Sequence, residues 1–240
     1  MGSLASPQYW DSIWERIQPK YSTDLAFRDL FDRYLRRGGT CFEVGCYPGS
    51  FLAYLCKTFD YEANGIDTTP FVVTRLPEFL RSCGIQIGEL VQGDFLEHRF
   101  NRRYDVVCSF GFLEHFTDYP MIIRKHAEIV NDGGTLILTC PNFTGAQHLL
   151  RGLLDPEDLQ RHVLRSMDFK AWTSILSDAR MNILFQGYYQ TFGFWTSYQS
   201  EDSARGQIAR LMAAMSTGIN KYVNIPNSVT SPLMISISRK

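Results

Sequence analysis

Between residues 40 and 140 the chain alternates strand-length apolar runs with helix-length amphipathic ones. No other feature constrains the fold as much. Strands joined through helices run parallel, and their sheet needs cover on both faces. Strands are expected over 40–44, 61–66, 89–92, 104–110 and 135–140. Helices fit 50–59, 69–82 and 119–130; Pro70 suits a first helical turn, whereas Pro77 disturbs or splits the second helix. Ahead of this core, residues 7–37 read as helical, with Tyr9, Trp10 and Trp14 followed by a stripe through Leu25, Leu30, Phe31 and Leu35. Arg36-Arg37-Gly38-Gly39 ends that segment, with basic residues in the last turn and glycine after it. Beyond the core, one or two helices fit 155–177, a long aromatic strand 181–194, a helix 203–215 and a terminal strand 233–238.

Neither a repeat nor a low-complexity linker interrupts the chain, so residues 1–240 read as one domain with parts at 1–38, 40–140 and 141–240. A hydrophobic content of 45% against 20% charged residues supplies a full core. The net charge of -1 speaks against a chain built to coat nucleic acid, which carries a basic excess. No apolar run approaches the roughly 18 residues a membrane span needs, and the first residues lack the pattern of a secretory signal. Met1-Gly2-Ser3 with Ser6 fits the loose myristoylation pattern, one that chance often supplies. Cys41, Cys46, Cys56, Cys83, Cys108 and Cys140 show no C-x-x-C spacing. They read as buried free thiols of a cytoplasmic protein.

The most informative stretch is Cys41-Phe42-Glu43-Val44-Gly45-Cys46-Tyr47-Pro48-Gly49-Ser50-Phe51-Leu52, a strand entering a glycine-bearing turn and then a helix. Gly45 and Gly49 let the backbone turn tightly and approach a ligand with no Cβ in the way. The helix from Ser50 offers free N–H groups and its positive dipole end to polar ligand atoms. Dinucleotide enzymes place G-x-G-x-x-G at such a turn. Here the second glycine falls on Tyr47, and that fingerprint fails.

The stretch resembles motif I of class I S-adenosylmethionine-dependent methyltransferases, an acidic residue followed by G-x-G-x-G. Glu43, Gly45 and Gly49 match it, and Cys46-Tyr47 carries the loop where the family has its middle glycine. The resemblance recurs in order along residues 40–140. Asp67, with Thr68 after it, stands at the end of the second strand, where the family's acidic residue accepts from the ribose hydroxyls. Asp94-Phe95 follows the third strand, where the family accepts from the adenine amino group and stacks on the ring. Ser109-Phe110 ends the fourth strand, where sulfonium and acceptor meet. Singly, these are equally well ordinary turn glycines and helix N-caps; together they imply S-adenosyl-L-methionine as cofactor. The implied fold is a doubly wound, seven-stranded, mostly parallel sheet with an antiparallel last strand and helices on both faces. Residues 1–38 would then cap the cofactor, and 141–240 would build the acceptor side.

Leu113-Glu114-His115 resembles the same position in ubiquinone-biosynthesis-type and related small-molecule methyltransferases. That resemblance puts His115 at the mouth of the acceptor pocket, as a general base for a hydroxyl acceptor with a rate falling near pH 6.5, or as a packed or capping residue. Small-RNA 2′-O-methyltransferases hold a metal with E-x-x-E-H and a further histidine. Glu114-His115 matches half of that element, Gly111 replaces its first glutamate, and His148 or His162 would have to complete it, so no metal is expected. The aromatics Phe185, Tyr188, Tyr189, Phe192, Phe194, Trp195 and Tyr198 would split over two strand faces. One face would pack on the sheet, and the other would line a pocket or a homodimer surface. Arg151, Arg161, His162 and Arg165 could face an acidic substrate. The leading expectation is methyl transfer to a hydroxyl or amine of a small metabolite such as a sugar, a quinone-like ring or a secondary metabolite. Alternatives are a nicotinamide-dependent oxidoreductase, an RNA 2′-O-methyltransferase and a non-catalytic cofactor binder.

Overall fold

The computed structural model describes residues 3–196 and 204–240; Met1, Gly2 and Tyr198, named above, lie outside them. Seven strands form one sheet: β1 (Gly39–Val44), β2 (Tyr61–Asp67), β3 (Ile87–Gln92), β4 (Tyr104–Phe110), β5 (Val130–Pro141), β6 (Asn182–Tyr189) and β7 (Leu233–Arg239). Their spatial order is β3-β2-β1-β4-β5-β7-β6. β1 to β5 pair in parallel, and β7 runs antiparallel to both its neighbours. The central strands β1 and β4 bury apolar side chains on both faces, Cys41 and Cys108 on one and Phe42, Val44 and Val107 on the other. Helices explain this. α1 (Pro7–Trp14), α2 (Arg28–Tyr34), α3 (Ser50–Phe59), α4 (Phe71–Thr74) and α5 (Leu76–Ser82) precede β3. α6 (Tyr119–Glu128), α7 (Gly145–Leu154), α8 (Pro156–Gln160), α9 (Phe169–Asp178) and α10 (Ala204–Tyr222) follow β4. Two apolar clusters result, one joining α2 and α3 to the sheet and the other joining α6 and α9 to it.

The helix expected over 7–37 is two helices. Pro19 lacks an N–H and restricts the residue before it, so the chain runs irregularly from Ile17 and re-enters helix only after Phe27 at φ 69°. The helix expected over 69–82 is split, with Pro77 inside the first turn of α5. β5 begins five residues early: Val130 pairs with Tyr104, and the pairing shifts register over Asp132-Gly133-Gly134. α7 was not expected at all. The long aromatic strand stops at Tyr189, because Gln190 turns at φ 65°. Asn220 Oδ1 then accepts from the N–H groups of Thr191 and Phe192.

β6 therefore presents fewer aromatics than expected. Phe185 and Tyr189 pack on Tyr34 and Phe27, and Tyr188 packs on Phe169. All six cysteines are free thiols, and only Cys83 is partly exposed. No helix among the described residues is long and apolar enough to cross a membrane.

Candidate functional site

Strand order reverses between β1 and β4, and ligands of open α/β sheets bind outside the carboxyl ends of strands at such a point. A cavity of about 860 Å³ opens there. The turn leaving β1 lines it, with positive φ at Gly45 (71°) and Gly49 (89°) and at no residue between them. Tyr47 therefore stands at the family's middle glycine without backbone strain. Its ring packs against Trp14 and Phe71, and its hydroxyl donates to Ile17 O at 3.2 Å. A Cβ on Gly45 would come 2.9 Å from the Phe112 ring, and one on Gly49 would strike Leu76. Gly49 also starts α3, so Ser50 and Phe51 present its first turn to the cavity.

Acidic groups stand at three corners. Glu43 is buried with Oε2 unpartnered, and burial pushes its carboxyl well above the usual range. Asp67 accepts from Tyr47 N at 3.0 Å and Thr69 N at 3.1 Å. Burial raises it to about 6, against the lowering effect of those backbone N–H groups. Two oxygens offer about four acceptor sites, so two remain for a ligand diol. Asp94 caps the turn after β3 through Leu96 N at 2.7 Å, and buried Phe95 lies beside it. Glu43, Gly45, Tyr47, Gly49, Asp67, Thr68, Asp94, Phe95, Phe110 and His115 all line this cavity. Cys46 and Ser109 do not. Both are buried, Cys46 beneath Gly65 and Ser109 with its hydroxyl unpartnered inside the sheet.

The N-terminal segment covers the opening. Leu4 N donates to His115 O at 2.7 Å, and Trp10 and Trp14 stack at 5.7 Å along the cavity wall. Behind Trp10, Phe51, Phe110 and His115 lies a second cavity of about 320 Å³ that shares those residues. Phe51 and Phe110 stack at 3.8 Å on their shared wall. Aromatic rings of Tyr9, Phe27, Phe143 and Trp195 line the smaller cavity, and Glu114, Asp158 and His162 form its polar end.

His115 is 6% exposed. Its Nδ1 lies 2.9 Å from Arg161 O; a carbonyl only accepts, so Nδ1 carries the proton and Nε2 the lone pair. Burial first, then the neighbouring His162, pushes it down to about 3. The expected titration near 6.5 is thereby displaced, and the imidazole is neutral but weakly basic. Sequence reasoning reached His162 as one of several basic residues and, with His148, as a residue that could complete a metal-binding element. It missed Asp158 and Phe143, because no local pattern links residues 110–116 to 143–162; the contact is made by the fold.

A switch-point cavity with a glycine turn, an acidic residue ending β2 and a smaller cavity behind β4 make up the ligand-binding site of a Rossmann-like domain. A methyltransferase-domain family model matches residues 13–184, and the chain belongs to that family. The chain is 30% identical over 127 residues to a ubiquinone biosynthesis O-methyltransferase of Escherichia coli, a match covering 48% of this chain and 51% of that one. It is 26% identical over 123 residues to phosphoethanolamine N-methyltransferase 1 of Triticum aestivum, covering 50% of this chain and 24% of that one. The matches thus span 24% to 51% of the length of these relatives. The fold is shared with magnesium protoporphyrin IX methyltransferase of Synechocystis PCC 6803, solved with bound S-adenosylhomocysteine. The TM-score is 0.57 at 16% identity, over 88% of this chain and 78% of that one.

Proposed function

We propose that the protein methylates a hydroxyl of a small, ring-bearing acceptor, using S-adenosylmethionine. The observation that carries this reading is the pair of cavities meeting at Phe51, Phe110 and His115. An in-line displacement needs its two reactants on opposite sides of one point. Alignment of that kind contributes roughly 7–11 kcal/mol at best.

When bound, the cofactor supplies a methyl group on a cationic sulfur. The larger cavity fits it: Asp67 retains acceptor sites for a ribose diol, Asp94 and Phe95 suit an adenine, and the unpartnered Glu43 oxygen suits an ammonium group. The glycine turn, at positive φ at Gly45 and Gly49, lets Phe112 and Leu76 pack against it where Cβ atoms would clash, and presents its backbone at the cavity wall. Trp10 and Trp14 exclude water from the junction. In the smaller cavity, Tyr9, Phe143 and Trp195 stack on the acceptor ring, and the polar end orients its hydroxyl. His115 Nε2 accepts from that hydroxyl, which aims an oxygen lone pair at the junction.

A nicotinamide-dependent activity loses its support, since the dinucleotide fingerprint fails at Tyr47 and the family is one of methyltransferases. The test is a screen of phenols, sugars, ring alcohols and ring amines with labelled S-adenosylmethionine. Label transfer to ring hydroxyls supports the reading. Transfer confined to amines, or to no acceptor while the protein binds S-adenosylhomocysteine, contradicts it.

A further inference from the structure

We infer that Glu114, His115 and His162 form a divalent-metal site at the polar end of the smaller cavity, with one coordination position open toward that cavity. One carboxylate oxygen and two imidazole nitrogens from these residues lie within 4.8 Å of one another. Glu114 Oε1 is 3.9 Å from His115 Nε2. Donors around a tetrahedral ion bound at about 2.1 Å stand roughly 3.4 Å apart. Small side-chain rotations would therefore close the set.

Three independent features prepare these groups as ligands. First, both histidines are fixed in one tautomer. His115 Nδ1 donates to Arg161 O at 2.9 Å and His162 Nδ1 to Asp158 O at 2.7 Å, which leaves each Nε2 with a free lone pair. Metal-ligating histidines almost always donate their other nitrogen in this way. Second, Glu114 is 1% exposed, and its Oε2 has no partner in the fold. A buried carboxylate without a partner is costly unless a cation completes it. Third, the wall around the set is built of packed aromatic rings. Trp10 packs edge-on against His115 at 5.0 Å, Phe143 lies 4.6 Å from His162, and the two imidazole rings are 4.7 Å apart.

Two arginines stand close by, but their charge is met by Asp158. Arg151 reaches its carboxylate at 2.8 Å and Arg161 at 3.6 Å.

Two imidazoles and one carboxylate suit a zinc-like ion, and three protein ligands with an open position are the arrangement of catalytic rather than structural zinc. The open position faces the ring-lined cavity. An ion held in this site takes the His115 Nε2 lone pair, so an acceptor oxygen would meet the ion in place of the imidazole, and would be oriented and drawn toward its deprotonated form. Half of an E-x-x-E-H element is thus completed by a residue 47 positions downstream, where sequence spacing alone pointed to no metal. The ion's part in methyl transfer rests on the function proposed above; its binding does not.

The test uses the full chain, freed of metal with a chelator and titrated with Co²⁺ in the absence of cofactor. One equivalent should bind and give the visible bands of a four- or five-coordinate imidazole site. Glu114→Gln, which keeps the shape of a buried side chain, and His162→Gln should each weaken binding by about tenfold or more while both chains melt cooperatively. Should one variant fail to fold, the other and the wild-type titration still decide. No cobalt uptake by folded wild type, or uptake unchanged in a folded variant, overturns the site. S-adenosylhomocysteine binding, measured on the same samples, reports separately on the methyltransferase reading.

Discussion

Replacing Asp67 with asparagine separates what this residue does for the fold from what it does for the cofactor. A carboxyl that ionises near 6 in the fold and at 3.8 outside it has a charged form about 3 kcal/mol more costly inside. The folded value is the higher one, so the fold favours the protonated form. Its contribution to stability is present below pH 3.8 and is lost as pH rises through about 6. Asparagine removes that cost at neutral pH but turns one N–H donor toward Tyr47 N or Thr69 N, a loss of about 1–3 kcal/mol. The two effects nearly offset, and Asp67→Asn should melt within a few degrees of wild type.

Binding should respond differently. Two charge-assisted bonds to a ribose diol contribute about 3–6 kcal/mol, of which asparagine keeps one neutral bond of about 1 kcal/mol. The net loss of about 2–5 kcal/mol weakens S-adenosylhomocysteine by roughly 30- to 5000-fold. Wild type should itself lose affinity as pH falls through about 6, because the protonated carboxyl loses an acceptor. The assay is calorimetry at pH 7.5 and 5, with melting curves alongside. A folded variant that binds within threefold of wild type would refute this placement of the ribose.

Three other outcomes follow from the same contacts. Tyr47→Gly, which restores the family's middle glycine, should destabilise the chain by about 3 kcal/mol or more in denaturant unfolding, because the ring packed on Trp14 and Phe71 is lost. His115→Ala should lower kcat by about 100-fold or more with S-adenosylhomocysteine affinity within threefold; a kcat within threefold of wild type would make His115 a packing residue. Trp172→Ala should cost about 3–5 kcal/mol in the same unfolding assay, since Trp172 is fully buried and its indole donates to Ser166 O at 2.6 Å.

The cofactor half of the molecule was legible because its signals are local. A strand, a turn that needs positive φ at Gly45 and Gly49, and an acid at the end of β2 each fall within a short stretch whose periodicity shows. Cys46 and Ser109 stay off the cavity wall for a related reason: motif proximity does not tell which way a side chain points, and both are buried in the core. The acceptor half resisted because its walls come from α1, α8 and the segments after β4, β5 and β6, brought together only by packing. The strand expected over 181–194 shows the limit. Aromatic density suggested continued pairing, but Gln190 at φ 65° and the Asn220 side chain end it, and Trp195 goes instead to the smaller cavity.

The central claim is that the cavity between β1 and β4 holds S-adenosylmethionine. Side-by-side calorimetric titration of the chain with S-adenosylhomocysteine and NAD tests it most directly. The structure predicts a single S-adenosylhomocysteine site, with a melting temperature that rises with ligand concentration, and no response to NAD. Heat and stabilisation from NAD alone at equal concentration would contradict the account.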